Sequence, residues 1–261
     1  MVGSKKALMV AGLSSWAASV VPRARPFVAH LFGAIKDAKQ DEGPRRATTR
    51  ARPKDLIFVR RFRHAAGWLS ELLKDDAALV RRFSVEQRHA KIELIVRTDA
   101  SPFGLGGILI DTDGGILGYW ADELRSEDLT RFRATIGDPA WQSEWEFLAV
   151  LISLEVFGAQ LRNNKFKLQV DNTATLSAAM LLKSSSPVMN AVAAEVSLRI
   201  DRLRTSLEFA EHIPGALNFL ADALSRLTAG AKLPEVLVTA VRFPAPSRSG
   251  DVWRTWPQEW V

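Results

Sequence analysis

The chain of 261 residues contains no cysteine. This absence excludes disulfides, thiolate zinc sites and a cysteine nucleophile. A membrane-spanning helix requires about 18 consecutive apolar residues, and no apolar run in this sequence is that long. We therefore expect no membrane partner. The first residues, MVGSKKALMVAGLSSWAASVV, begin like a signal peptide, but serines and a tryptophan interrupt their apolar part. The sequence therefore favours an intracellular protein, in the cytoplasm or the nucleus, over a secreted one.

Acidic residues are scarce in the first part of the chain. Residues 1–98 hold 20 Lys and Arg against 9 Asp and Glu, whereas residues 99–261 hold 15 against 20. Such a distribution suits polyanion binding next to a cation-binding site, and it suits a solvated basic surface equally well. The densest basic run is the polar connection QDEGPRRATTRARPKD, whose candidate phosphate contacts are Arg45, Arg46, Arg50, Arg52 and Lys54.

The front of the chain has the pattern of helices. Apolar residues recur at helical spacing between Trp16 and Ile35, and Pro22 and Pro26 divide this stretch into at least two pieces. A further helix is expected across residues 55–80. We therefore predict a small, basic helical unit over residues 1–90.

From residue 92 the pattern changes to that of strands. IELIVRTD and GGILIDT are separated by a predicted glycine-rich turn, and a second turn leads into ILGYWAD, which indicates three antiparallel strands. Asp138-Pro139 has the pattern of a helix start. Later segments predict further elements, in the order β-β-β-α-β-α-α-β-α over residues 91–228. Residues 229–261 have the composition of an extended tail with many prolines and tryptophans.

Four carboxylates fall at or near the ends of predicted elements. Asp99 lies in the first strand, Glu146 on the first long helix, Asp171 at the end of KFKLQVD, and Asp222 in the closing helix. If gathered at one edge, they would repel each other unless divalent cations neutralised them. Oxygen ligands without a Cys or His cluster favour Mg²⁺ or Mn²⁺. Two such ions about 4 Å apart can activate a water for phosphodiester hydrolysis.

Four motifs occur in the order TDAS-x-x-G-L-G-G-I-L, E-F-L-A-V-L-I-S-L, VDN-x-A and HIPG-x-x-N-x-x-ADALSRL. Over about residues 92–227 they resemble the ribonuclease H domain of retroelement reverse transcriptases, especially the Ty3/gypsy and DIRS-like groups. WAASVVPRARPFVAHLF, with the polar gap and the helix after it, is similar to the thumb and connection region of DIRS-type polymerases. The resemblance implies an α/β, ribonuclease H-like fold. Its five-stranded mixed sheet has three antiparallel strands and flanking helices, and a helical unit precedes it.

The resemblance also implies a metal set, which binds two Mg²⁺ or Mn²⁺ ions. The family's D-E-D-D residues match Asp99, Glu146, Asp171 and Asp222. Glu146 is preferred to Glu144 because it fits the family register E-L-x-A-x-x-x-x-L. Two positions along a helix are a rotation of about 200°, so both glutamates cannot face the same metals.

Two further residues match family positions. His212 stands ten positions before Asp222, as does a loop histidine that assists proton transfer or product release in relatives. The same place would suit a histidine that only caps the turn. Asn218 matches an asparagine that contacts the nucleic-acid strand, and Asx-turn chemistry before a helix is the alternative.

The implied activity is a metal-dependent endonuclease that hydrolyses the RNA strand of RNA–DNA hybrids. No YxDD-like polymerase signature is found, and residues 1–98 are too few for fingers and palm, so a polymerase domain would be a partner. Two alternatives stay open: an inactive nucleic-acid-binding module of the same fold, and another nuclease of this superfold. Exonucleases of this kind usually open with D-x-E, unlike Asp99-Ala100-Ser101, and integrases usually place a glutamate where this chain has Asp222.

Overall fold

The computed structural model describes residues 1–40, 56–57, 63, 65–67, 69–70, 94–248 and 252–253. Most of the helix expected across residues 55–80 lies outside these ranges. The basic run also lies outside them, and its predicted phosphate contacts therefore stay a prediction: Arg45, Arg46, Arg50, Arg52 and Lys54.

The front of the chain forms two helices, α1 (Ser4–Val20) and α2 (Arg25–Gln40), joined by the 3₁₀ turn Pro22–Ala24. The break falls at the proline because proline fixes its own φ and disfavours helix in the preceding residue. Two short strands, β1 (Val2–Gly3) and β2 (Leu56–Ile57), pair antiparallel beside them.

Five strands form the main sheet: β3 (Leu94–Ala100), β4 (Gly104–Asp111), β5 (Ile116–Glu123), β6 (Lys165–Val170) and β7 (Ser206–His212). Their order across the sheet is β5-β4-β3-β6-β7. The first three are antiparallel, and β6 and β7 run parallel to β3. The predicted α/β class, with a five-stranded mixed sheet, three antiparallel strands and flanking helices, is confirmed.

Helices cover both faces of this sheet. They are α3 (Ser126–Phe132), α4 (Gln142–Val156), α5 (Gly158–Leu161), α6 (Thr173–Leu181), α7 (Pro187–Leu203) and α8 (Phe219–Ser225). The main core lies between the sheet and α4, α6 and α7, and a smaller one lies beneath α8. Asp138 starts the α4 region, since its side chain accepts a hydrogen bond from the Ala140 amide at 2.9 Å. Within the described residues, no helix combines the length and apolarity needed to cross a membrane.

Gly104, which the sequence pattern places in the turn, is the first residue of β4, and Gly106 and Gly107 lie inside this strand as the pattern predicts. These glycines leave room for neighbouring residues to pack closely against β4. A Cβ on Gly106 would lie 2.5 Å from the Cβ of Leu224 on α8, and one on Gly107 would lie 2.4 Å from the Trp120 Nε1. The turn itself is Ser101–Phe103, closed by a hydrogen bond from the Ser101 amide to the Gly104 carbonyl at 2.8 Å.

The front helices and the C-terminal segment both pack on the sheet domain. The Asn190 side chain on α7 donates to the Pro26 carbonyl at 2.9 Å. At the other end, the Phe243 amide donates to the Tyr119 carbonyl at 2.8 Å, which covers the edge of β5. Arg248 is fully buried and paired with the buried Asp128 at 2.8 Å. The sequence pattern had not indicated α3 or this ion pair.

Candidate active site and metal centre

Asp99 lies near the end of β3, the central strand of the sheet, with its side chain almost completely buried. Its neighbour on β4 is Gly106, so α8 can approach from that side. The Ser225 hydroxyl on α8 lies 3.0 Å from Oδ2 of Asp99 and can donate to it. Burial raises the pKa of Asp99 to about 8, and the negative charge of Asp171 adds to this effect.

Glu146 lies one turn into α4 and is also buried. The side-chain amides of Gln142 and Asn172 donate to its Oε1 at 3.2 and 3.3 Å. Its buried Oε2 has no hydrogen-bond partner among the described residues. Burial raises the pKa of Glu146 to about 7 despite these donors, and the charge of Asp171 adds to the rise.

Asp171 follows β6 directly, and its buried Oδ1 likewise has no hydrogen-bond partner within the described part of the chain. The backbone of Gly215 approaches it, since a Cβ there would lie 3.3 Å from Oδ2. Glu144, the neighbouring alternative on α4, accepts a hydrogen bond from Ser186 at 3.0 Å instead.

The structure brings three of the four predicted ligands together. Asp99, Glu146 and Asp171 each offer a carboxylate oxygen, and these oxygens lie within 4.8 Å of one another. Asp99 and Asp171 meet because β3 and β6 are parallel neighbours, with Arg97 opposite Gln169, so their carboxyl ends share one edge. Three close carboxylates repel unless protons or cations neutralise them. Two buried, unpaired oxygens and an all-oxygen donor set fit Mg²⁺ or Mn²⁺.

Asp222, the fourth predicted ligand, lies beside this group but outside it. It belongs to α8, its side chain is 42% exposed, and its Oδ1 accepts a hydrogen bond from Arg226 Nε at 2.7 Å. Its charge still contributes to the raised pKa of Asp99, which places it in the same electrostatic environment. The carboxylate is thus near the cluster and engaged with an arginine.

His212 and Asn218 flank the cluster differently. His212 is exposed at the end of β7, and its Nε2 lies 3.0 Å from the backbone oxygen of Asp171. Asn218 is fully buried, and its amide donates to the Thr98 carbonyl at 3.1 Å without capping α8. The hydrogen bond from Asn218 therefore links the loop before α8 to β3. Its contact with a nucleic-acid strand stays a prediction.

Sequence reasoning assigned no role to four polar residues around the carboxylates: Gln142, Asn172, Ser225 and Arg226. Asn172 had a readable signal, since an asparagine before a helical segment is a common N-cap, and it does accept from the amides of Ala174 and Thr175. Its second contact, with Glu146, depends on how α4 packs against β6. Arg226 stands four residues after Asp222, a spacing that permits a helical ion pair.

No protein-family model and no curated protein sequence matches the chain. Similar solved structures include RNase H1 from the halophilic archaeon Halobacterium salinarum NRC-1, at 18% identity and TM-score 0.37, covering 50% of this chain and 92% of that one. LC11-RNase H1, isolated from compost and solved in complex with RNA/DNA hybrid, is 19% identical, with TM-score 0.40 and coverages of 51% and 93%. The N-terminal RNase H domain of a Mycobacterium tuberculosis protein, fused to maltose binding protein, is 14% identical, with TM-score 0.39 and coverages of 53% and 96%.

Proposed function

We propose that the chain is a metal-dependent endonuclease of the ribonuclease H type, which hydrolyses the RNA strand of RNA–DNA hybrids. The observation that carries this proposal is the cluster of Asp99, Glu146 and Asp171 at the carboxyl edge of β3 and β6. The unpaired oxygens of Glu146 and Asp171 support cation binding at this cluster. Two Mg²⁺ or Mn²⁺ ions would supply a nucleophilic water and stabilise the charge on the leaving oxygen.

The residues of the chain have distinct roles in this proposal. Asp99 and Asp171 belong to adjacent strands of a buried sheet, which fixes their separation before any ligand binds. Glu146 is oriented by the amides of Gln142 and Asn172, and its second oxygen has no hydrogen-bond partner among the residues described. Asp222, exposed on α8, completes the ligand set. His212, exposed beside Asp171, is our candidate for proton transfer or product release.

The substrate would be recognised by shape, through backbone and 2′-hydroxyl contacts. We assign phosphate contacts to the basic run Arg45, Arg46, Arg50, Arg52 and Lys54, and a strand contact to Asn218. Residues 1–90 would act as a thumb- or connection-like region that holds the duplex beside the nuclease domain of residues 91–228. The quoted motifs support a place in a retroelement reverse transcriptase, with a polymerase domain as partner. The interrupted apolar part of the first residues supports an intracellular location.

The test is cleavage of a labelled RNA–DNA hybrid with Mg²⁺ or Mn²⁺. We expect Asp171→Asn to reduce RNA cleavage by more than about 100-fold, because a metal ligand is lost. Asp113→Asn, in the exposed turn between β4 and β5, is the matched control and should cleave normally. Equal cleavage of a plain DNA duplex would instead favour another nuclease of this superfold.

A second candidate is an inactive nucleic-acid-binding module of the same fold. The observation that favours it is the pairing of Asp222 with Arg226 instead of with the other carboxylates. A thermal unfolding series with increasing Mn²⁺ separates the two functions, because a bound ion raises the stability of the folded state. An inert module should show no shift while still binding hybrid.

A further inference from the structure

Arg226 forms the C-cap of α8 and contacts Asp222, which lies beside the carboxylate cluster. Its Nε donates to Oδ1 of Asp222 at 2.7 Å, and its side chain is 55% exposed. Asp222, through this hydrogen bond, and the charge of Asp99 both raise the pKa of the guanidinium. Arg226 therefore lies within the electric field of the carboxylates, although the nuclease proposal gives it no role.

Hydrogen bonds fix the backbone around the Asp222–Arg226 pair. Ser225 Oγ lies 3.0 Å from Oδ2 of Asp99 and 2.9 Å from the backbone oxygen of Asp222. The Ser225 carbonyl in turn accepts a hydrogen bond from Ser101 at 2.7 Å. The end of α8 is thus attached to β3 and to the turn that follows it. The side chains of Asp222 and Arg226, which are 42% and 55% exposed, can reorient without moving the helix.

The negative charge of Asp222 can therefore be neutralised by either of two partners. Asp222 can pair with Arg226, as observed. Its carboxylate can instead turn toward a cation held beside Asp99, since Ser225 Oγ contacts both Oδ2 of Asp99 and the backbone oxygen of Asp222. An exposed ion pair between residues four apart on a helix is weak, so a divalent cation can displace it. Glu146 and Asp171 differ in this respect, since each keeps a buried oxygen that no donor among the described residues occupies.

We propose that Arg226 is a positioning residue that competes with a divalent cation for Asp222 and so sets the affinity of the second cation. The first cation is bound by Asp99, Glu146 and Asp171 and does not depend on Arg226. The inference rests on the proposed function, because it requires that the carboxylates bind divalent cations. It goes beyond that function by assigning the difference in affinity between the two ions to one arginine.

Calorimetric titration of the full chain with Mn²⁺ tests this directly, without a nuclease assay. We expect two binding steps in the wild type. Arg226→Gln should tighten the weaker step about three- to tenfold and leave the tighter step unchanged, because a competing charge of surface strength is removed. Arg202→Gln is the matched control: Arg202 pairs with Glu155 at 3.0 Å, at the far end of α4, and its loss should alter neither step.

The double variant gives the sharper result. Asp222→Asn should abolish the weaker step, and adding Arg226→Gln to it should then change nothing, since the two residues act through one contact. An unchanged or weakened second step in Arg226→Gln would overturn the inference, as would equal tightening of both steps. Absence of any Mn²⁺ binding by folded wild type would contradict the proposed metal dependence itself, so the two failures are distinct. Circular dichroism melting checks that each variant is folded.

Discussion

Among the carboxylates at the site, Asp99 has the pKa that is raised furthest from its ordinary value. It lies in the central strand, α8 covers it, and its pKa is raised to about 8, first by burial and then by the charge of Asp171. Burial likewise raises the pKa of Glu146 to about 7. In the metal-free protein these groups hold protons at pH values where exposed carboxylates have lost them.

We expect the metal-free protein to lose stability as the pH rises from about 5 to about 8. In this window the folded state keeps protons on Asp99 and Glu146, whereas the unfolded chain has released them, so the free energy of unfolding falls. The loss should be on the order of a few kcal/mol and complete above the folded-state pKa values. Urea unfolding with a chelator at about pH 5.5, 7 and 8.5 measures it.

Two variants control this measurement. Asp99→Asn removes a titrating group and should flatten much of the slope, whereas Asp113→Asn, exposed in a turn, should retain it. Added Mn²⁺ should restore stability at about pH 8.5, since metal binding favours the deprotonated ligands. A wild-type stability that rises across this range would contradict the raised pKa values.

At the scale of elements, the spacing between β4 and its covering helices positions the site. β4 is buried on both faces, with Ile108 and Ile110 toward α8 and Leu105 and Leu109 toward the main core. Gly107 leaves room on the main-core face for the hydrogen bond from Trp120 Nε1 to Ser153 Oγ, 2.9 Å long. The positions of the carboxylates on β3 and α4 therefore depend on the spacing between the sheet and the helices packed on it.

Gly107→Ala should destabilise the fold by about 1–3 kcal/mol, because the added Cβ would lie 2.6 Å from the buried Ser153 Oγ and closer still to Trp120. Gly33→Ala is the control, since a Cβ there meets nothing within 4 Å in the part of the chain that the structure describes, and the site is helical. That change should be neutral or stabilise by about 0.5–1 kcal/mol. Guanidinium unfolding of both variants checks the pair, and equal stabilities would refute the packing argument.

At the scale of the whole molecule, contacts far apart in sequence close the domain. The described C-terminal residues cover the edge of β5, and Arg248 reaches Asp128 on α3 and Asp122 on β5 at 2.8 and 3.1 Å. Burial raises the pKa of Asp128, and the charge of Arg248 opposes that rise. Both partners of the Arg248–Asp128 pair are fully buried, so removal of Arg248 leaves the buried Asp128 carboxylate without that counter-ion.

Arg248→Ala should therefore cost about 3–5 kcal/mol of unfolding free energy, as expected when one partner of a buried pair is lost. Arg242→Ala, an exposed arginine six positions earlier, should change stability by less than about 0.5 kcal/mol. Urea denaturation gives both values. In a double-mutant cycle, Asp128→Asn should cost much less when Arg248 is already absent, and additive costs would show that the pair does not act as a unit.

Much of the fold follows from local pattern. The strand and helix order was readable because side chains alternate along strands and recur at helical spacing, and Asp138-Pro139 marked a helix start. The short α3 was missed, since seven residues give few periodic positions. The pattern predicts a turn at Gly104, which begins β4, because the sequence does not show whether a glycine serves a turn or close packing.

The sequence by itself determined which carboxylates stand at element ends, and hence that Asp99 and Asp171 could meet at one sheet edge. Only the tertiary structure decided that Glu146 joins them, that Asp222 pairs with Arg226, and that Asn218 is buried against β3. It also decided that Arg248 pairs with Asp128, 120 residues away. Side-chain periodicity and helix capping act between near neighbours in the chain. The contacts above depend instead on how distant elements pack and on the burial that packing imposes.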